Sequence, residues 1–183
     1  MNKIGSMILT SIAVLCTPST HAYLQADLDK VLAHENCIDG DLTNAPLDGV
    51  DLSALNLRGT DFNNASMIGA NLSGSILQNT NLSTANLSNA LLGGASCGNA
   101  TAISTNFNGA QFDGSSWAYT NFTGATFINS TGGPASMPGA DLTNANFTGA
   151  TGVTFNAETY FNTTMPDGYV CSSAECAQQH TTP

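Results

Sequence analysis

A large apolar residue recurs at almost every fifth position between Gly40 and Gly152, and this period is the feature that most constrains the fold. The repeat covers 23 positions without a break in register, from Leu42 to Gly152. The residue two positions earlier is small, since it is Ala at 13 of these positions and Thr or Ser at 7. A helix needs apolar residues at i, i+3 and i+4, and a half-buried strand needs alternation, so a period of five fits neither. It fits a solenoid, which turns a corner every five residues and buries one side chain from each short side.

Glycine or asparagine recurs two residues after the apolar position, where a corner requires turn-forming residues, as at Asn44 and Gly49. The segments ADLTNANFTGA (140–150), GANLSGSIL (69–77) and TANLSNALL (84–92) resemble the A(D/N)LXX repeat of the pentapeptide-repeat family. The resemblance covers about 113 residues. It implies an all-β fold, a right-handed quadrilateral β-helix with four pentapeptides in each coil.

Four pentapeptides per coil would stack residues twenty positions apart into four interior columns. Leucine dominates the first half of these columns, and aromatic residues, which gain contact energy when they stack, dominate the second half. The predicted structural core consists of Leu42, Leu47, Leu52, Leu57, Phe62, Leu72, Leu77, Leu82, Leu87, Phe107, Phe112, Trp117, Phe122, Phe127, Leu142 and Phe147.

Residues 1–22 are typical of a secretory signal peptide, with a short basic start, an apolar run over Met7–Cys16 and a small-x-small site that predicts cleavage after Ala22. The run is about half as long as a bilayer span, which disfavours the alternative of a membrane anchor. Lipidation at Cys16 is a second alternative, disfavoured by the large Leu15 before it. We therefore expect an exported protein, periplasmic or secreted, with no membrane span.

Residues 23–36 predict a short amphipathic helix. Its apolar face would hold Leu24, Leu28, Val31 and Leu32, and its polar face Asp27, Asp29, Lys30 and Glu35. Such a helix would cover the open core and the unpaired strand edge that the first coil of a solenoid exposes. Cys37 is in register with Leu42, so the β-helix is predicted to begin there and to extend over residues 37–168.

The repeat is weakest at STGGPASMPG (130–139), where Gly132 occupies an apolar position and two prolines lack backbone donors. Because the residue count stays in step, we expect one irregular side and no domain boundary. After Gly152 the register jumps by three to Phe155, and YFNTTMPDG (160–168) resembles the closing segment of many family members. Residues 169–183 are expected to form a polar tail, in which no helical apolar pattern is present.

Four cysteines follow Ala22, which formally allows three disulfide pairings. In the implied columns Cys37 and Cys97 lie three coils apart, about 14 Å at the spacing of neighbouring strands, which is twice the reach of a disulfide. Cys97 would be a buried core thiol. Cys171 and Cys176 are close in sequence, so we predict that they bond and pin the C-terminal cap; a metal or redox pair is the alternative.

Nothing in the sequence indicates catalysis or a cofactor. His34 lies on the predicted helix and His180 in the tail, with no Ser-His-Asp or Cys-His set and no glycine-rich phosphate loop before a helix. Weak cation binding is an alternative role for Asp39 and Asp41, but a turn in the first coil and the acid that is usual in the repeat explain both residues without a ligand. The many N-x-Ser/Thr sequons arise from the repeat itself and are no evidence for glycosylation.

The chain is acidic, with 13 Asp and Glu against 3 Lys and Arg, and a net charge of −10. Eight of the acids lie between Asp27 and Asp61, and such a surface repels nucleic acid. We predict a non-enzymatic exported scaffold or interaction module, monomeric or weakly dimeric, that binds an unidentified protein partner. The alternative implied by the resemblance is a DNA-mimicking protein that binds DNA gyrase and protects it from quinolones. The predicted signal peptide disfavours this alternative, because gyrase is cytoplasmic.

Overall fold

The structure is a computed structural model that describes residues 23–180, apart from the side chains of residues 133–135. The predicted signal peptide and the cleavage after Ala22 lie outside the described residues. The chain forms a right-handed quadrilateral β-helix, as predicted. Parallel bridges join residues twenty positions apart, from Asp41 to Asp61 and onward to Asn121 and Asp141, so each coil holds four pentapeptides.

Each side of the rod repeats one set of backbone hydrogen bonds. The N–H of Leu42 donates to Asp61 O at 2.8 Å in the next coil, and the N–H of Ala45 donates to Leu42 O at 3.0 Å to close the corner. The corner residue has a positive φ, 60° at Asn44 and 66° at Gly49. Asn and Gly adopt this left-handed conformation at little cost, which explains why these two residues recur at this position.

Few residues form extended strands or helices. Helix α1 spans Gln25–Leu32 and helix α2 spans Ala174–Gln179. Strands β1 (Thr131–Ser136) and β2 (Thr151–Thr154) pair in parallel, and strands β3 (Thr163–Thr164) and β4 (Val170–Cys171) pair in antiparallel. The rest of the described rod consists of short corners linked by isolated bridges.

The interior is filled by one large and one small side chain from each pentapeptide. All sixteen side chains named above as the predicted core are 0% exposed. The aromatic half is stacked along one column, where the rings of Phe107 and Phe127 lie 5.0 Å apart and those of Phe127 and Phe147 4.3 Å apart. Neighbouring columns meet edge to face, as at Phe112 and Trp117, whose ring centroids are 5.8 Å apart. Both geometries are favourable for aromatic rings.

Hydroxyl groups at the small positions are buried, and most bond to backbone carbonyls. Ser75 Oγ donates to Leu72 O at 2.7 Å, and Thr105 Oγ1 donates to Leu82 O at 2.7 Å. The exception is Ser130, whose buried hydroxyl has no hydrogen-bond partner among the described residues. Ser130 lies directly before the irregular side of the rod.

The irregular side is the pair of strands β1 and β2. Thr131 pairs with Thr151, twenty residues on, but Ser136 pairs with Thr154, eighteen residues on, so the second strand is two residues shorter. The period of five predicts an interior position at Gly152, and this prediction is wrong: Gly152 is exposed and Val153 points inward instead. Because β2 has two residues fewer than β1, the residue that points into the core is Val153 and no longer Gly152. The columns then continue through Phe155, Tyr160 and Met165, all of them buried.

Helix α1 covers the first coil, but its buried face differs from the predicted one. Leu28 and Val31 are buried, whereas Leu24 and Leu32 are 57% and 55% exposed. Asp27, expected on the polar face, is only 7% exposed. It turns inward because its carboxylate accepts a hydrogen bond from the N–H of Asp41, a donor that has no coil below it.

Candidate interaction surfaces

The N-terminal end of the rod is closed by side chains that replace a missing coil. Asp27 Oδ2 accepts from the N–H of Asp41 at 2.9 Å, and Asn36 Oδ1 accepts from the N–H of Asn56 at 2.8 Å. Pro46 occupies the equivalent position on the next side and has no N–H to satisfy. The two side-chain hydrogen bonds and the proline leave few free backbone N–H groups at this edge, which disfavours the addition of a strand from a partner protein there.

The carboxylate of Asp27 is also held by a cation. Lys30 Nζ lies 2.7 Å from Asp27 Oδ1. The hydrogen bond from Lys30, followed by that from the backbone of Asp41, lowers the pKa of Asp27 below its usual value. The contacts of the cap therefore favour the ionised form of this carboxylate.

Most acids of the first coils bind their own scaffold. Asp61 Oδ1 accepts from the N–H of Asn63 at 2.8 Å and from Asn81 Nδ2 at 3.1 Å. Asp48 Oδ1 accepts from Ser66 Oγ at 2.6 Å and from the N–H of Ile68 at 2.9 Å. These contacts give the carboxylates a structural role in addition to their charge.

The residues that suggested weak cation binding do not assemble a metal centre in the structure. Asp39 takes a left-handed corner with φ of 51°, and Asp41 Oδ1 accepts from the N–H of Thr43 at 3.0 Å. Across residues 23–180 no three His, Cys, Asp or Glu side chains are grouped to hold a metal ion.

The middle of the rod carries a single charged residue, Asp113. The sequence contains no Asp, Glu, Lys, Arg or His between Asp61 and Asp113, and none between Asp113 and Asp141. Five exposed large apolar side chains lie in this same stretch: Ile68, Ile76, Leu91, Ile103 and Tyr119. The middle of the rod thus differs in chemistry from its acidic N-terminal end.

The C-terminal end is closed by β3, β4 and α2. Cys171 and Cys176 form a disulfide that ties α2 to β4. No helical pattern is visible in the sequence of this tail, so helix α2 was not predicted; Ser173 is its N-cap, and the Ser173 hydroxyl accepts from the N–H of Cys176. Ala177 on this helix is fully buried against the end of the rod.

An open cavity of about 320 Å³ lies on this cap, lined by Tyr169, Ser173, Glu175, Cys176, Gln179 and His180. The ring of His180 stacks on Tyr169 at 4.2 Å, and its Nδ1 lies 2.6 Å from Asp167 Oδ2. The backbone N–H of Tyr169 and then the hydrogen bond to His180 lower the pKa of Asp167. His34 lies at the opposite end of the rod, near Asp51 O at 3.2 Å, so the two histidines share no site.

The two remaining described cysteines are buried thiols. Cys37 is 1% exposed and Cys97 is 0% exposed. Burial raises the pKa of Cys37, and it raises the pKa of Cys97 well above the usual value. Both thiols are therefore neutral and shielded from reactants.

A family model described as pentapeptide repeats matches eight copies in the chain, over residues 45–83, 80–116 and 105–131. No curated protein matches the chain. No helix among the described residues is long and apolar enough to cross a bilayer.

Solved structures that resemble this one are themselves pentapeptide repeat proteins or resistance proteins. HetL from the cyanobacterium Nostoc, a protein involved in heterocyst differentiation regulation, is 22% identical over 70% of this chain and 76% of its own, with a TM-score of 0.32. QnrB1, a plasmid-mediated fluoroquinolone resistance protein, is 20% identical over 60% of this chain and 72% of its own, with a TM-score of 0.35. A pentapeptide repeat protein from the thylakoid lumen of Arabidopsis thaliana is 25% identical over 57% of this chain and 63% of its own, with a TM-score of 0.25.

Proposed function

The chain belongs to the pentapeptide-repeat family, and on that premise we propose that it is a non-enzymatic, exported interaction module. Its activity is to present a fixed outer surface to a partner outside the cytoplasm. The observation that carries this proposal is the stack of parallel coils from Cys37 to Met165, whose interior holds large apolar side chains and, at the small positions, alanines and hydroxyl-bearing residues. The polar groups that could contact a partner therefore lie on the outer faces of the rod, since most of its buried hydroxyl groups bond to backbone carbonyls.

The distribution of charge argues against DNA mimicry, the alternative function. A rod that imitates duplex DNA must carry negative charge along its length, because DNA has one charge for about every 1.7 Å of its axis. Here the residues between Asp61 and Asp141 carry no charge apart from Asp113. An assay of gyrase supercoiling with the purified protein as inhibitor is expected to show no effect. Inhibition of supercoiling at micromolar concentrations of the protein would contradict our proposal and support DNA mimicry.

Export is the part of the proposal that one experiment tests directly. Expressing cells are fractionated, and the N-terminus of the product is sequenced. We expect a chain that begins at Tyr23 and lies outside the cytoplasm. The matched control is Ala22→Leu, which removes the small residue from the cleavage site and should leave the precursor uncut. A product that keeps Met1 and stays in the cytoplasm would contradict export.

A further inference from the structure

The candidate surface lies on the side of the rod that carries Leu77, Cys97, Trp117 and Met137 in its interior. We refer to this side, over residues 76–79, 96–99, 116–119 and 136–139, as the serine face. Ser96, Ser116 and Ser136 stack on it through consecutive parallel bridges. Gly98, Ala118 and Pro138 occupy the adjoining positions and project little, so the surface between the serines and the corner is nearly flat.

Tyr119 lies at the corner of the serine face and is 68% exposed, more than any other large apolar side chain of the face. Its φ is 57°, a left-handed conformation that is rare for a bulky residue. The two residues below it in the same column, Asn79 and Asn99, are of the type that tolerates this conformation. A phenol ring at such a corner opposes the local backbone preference, and residues of that kind concentrate at functional sites.

The ring of Tyr119 has a defined position. A β-carbon placed on Gly139, one coil above, would lie 2.5 Å from Tyr119 Cδ1 and 2.6 Å from Cε1. One side of the ring therefore lies against the glycine backbone, and only a residue without a side chain leaves room for it. The opposite side of the ring faces solvent as an aromatic platform.

Polar groups next to this platform are available to a ligand. Among residues 23–180, the side chains of Asn79 and Asn99 form no hydrogen bond with another residue, unlike Asn162, which donates to Asn144 at 2.8 Å on another side of the rod. The hydroxyls of Ser116 and Ser136 likewise have no partner in the described chain. Unpaired amides and hydroxyls recur here at the coil spacing of about 4.8 Å.

We propose that the serine face binds a neutral glycan strand, with one sugar ring stacked on Tyr119 and its hydroxyls bonded to Asn99, Ser116 and Ser136. Aromatic rings pack against the apolar face of a sugar, and amides and hydroxyls exchange hydrogen bonds with its rim. The surface carries no charge between residues 76 and 112 or 114 and 139, so an uncharged polymer meets no unpaired charge there. This inference rests on the proposed function and names the class of its partner.

The test is an NMR titration of the isotope-labelled mature chain with three hexasaccharides. The probes are the β-1,4-linked hexamers of glucose and of N-acetylglucosamine, and an anionic heparin hexamer as the charged comparison. We expect a neutral hexamer to bind with a dissociation constant on the order of 1 mM or below and to shift the signals of residues 96–99 and 116–119. Failure of both neutral hexamers to shift these signals at 20-fold that concentration, or tighter binding of heparin, would overturn the proposal.

Three variants separate the platform from general effects of folding. Tyr119→Asn installs the residue already found at Asn99, so the fold is expected to persist while affinity falls at least about tenfold. Tyr119→Phe keeps the ring and should stay within about threefold of the wild type. The control Phe161→Asn removes an exposed ring, 64% exposed, from another side of the rod and should change nothing. Equal affinity of Tyr119→Asn and the wild type would also overturn the proposal. An exported chain that binds neither neutral hexamer refutes the glycan site and leaves the export result intact.

Discussion

Phe107 lies at the centre of the aromatic half of the core, with its ring 5.5 Å from Phe112 and 5.0 Å from Phe127. Thr123 lies on the outside of the same rod, and its side chain bonds only to Asn121, within its own corner. The two positions should differ in their tolerance of substitution because only Phe107 is buried. A core that is packed as densely as a crystal cannot close the cavity that a removed ring leaves.

Phe107→Ala is expected to lower the free energy of unfolding by about 3–5 kcal/mol, the usual loss when a buried aromatic ring leaves a cavity. Thr123→Ala should change the free energy of unfolding by less than about 0.5 kcal/mol. Chemical denaturation of both variants provides the measurement. Similar losses at the two positions would contradict the assignment of interior and exterior.

Ser130 offers a substitution that should stabilise the protein. Its buried hydroxyl has no partner, and Ala110 and Ala150 occupy the same position in the coils below and above. Ser130→Ala is expected to raise the free energy of unfolding by about 1 kcal/mol, because an unmet polar group is removed. The matched control is Ser75→Ala, which breaks a real bond to Leu72 O and should lower stability. A lower free energy of unfolding in Ser130→Ala would show that the hydroxyl of Ser130 forms a hydrogen bond.

At the scale of elements, α1 acts as a polar cap as well as an apolar one. The helical spacing of leucines predicted its existence but not its orientation, since Leu24 and Leu32 stayed exposed. The orientation of the helix is set by the backbone N–H of Asp41, which donates to the carboxylate of Asp27. This N–H lacks a partner only because no coil precedes the first one, which is a property of the tertiary structure.

The cap should weaken in acid. The folded-state pKa of Asp27 is lowered, so its contribution is complete above the unfolded value near 3.8 and is lost as the pH falls through the lower folded value. Asp27→Ala should lower the melting temperature by a few degrees at pH 6, and the difference from the wild type should shrink below pH 4. The control is Asp29→Ala, an exposed acid on the same helix. A difference that stayed constant down to pH 2 would contradict the role of the ionised carboxylate.

The disulfide should secure the C-terminal cap and leave the rod unaffected. It joins β4 to α2 across a sequence separation of 5. Closing a loop of this size reduces the entropy of the unfolded chain and stabilises the fold by roughly 2 kcal/mol. In the double variant Cys171→Ala, Cys176→Ala we expect faster amide exchange over residues 159–179 and unchanged exchange over residues 57–117. Uniform loss of protection along the whole rod would show that the cap holds the entire fold.

At the scale of the whole molecule, each coil contacts only its neighbours. Seven levels stack from Cys37 to Phe155, so the rod is about 29 Å long at a spacing of 4.8 Å. Stability is then a sum over coils and over the interfaces between them, and whole coils are interchangeable units.

This additivity predicts a contrast between two deletions. Removal of residues 81–100 takes out one complete coil and joins Thr80 to Thr101, which keeps every column in register. The shortened chain should fold cooperatively with a modestly lower melting temperature, as measured by circular dichroism. Removal of residues 81–97 breaks the period of five and should abolish the cooperative transition. Equal behaviour of the two chains would contradict the coil as the unit of the fold.

The sequence by itself determined the period, the interior positions and the corner residues, because five-residue spacing is a local property repeated many times. The four-sided coil followed from the resemblance to a family, since spacing alone does not fix the number of sides. Only the tertiary structure decided the inward shift from Gly152 to Val153, the burial of Asp27 and the short helix at Ser173. Each of these lies where the repeat ends or loses residues, so its backbone donors and open core must find partners in a fold that is already formed. The aromatic platform at Tyr119 is of the same kind, since its setting depends on Gly139, one coil away.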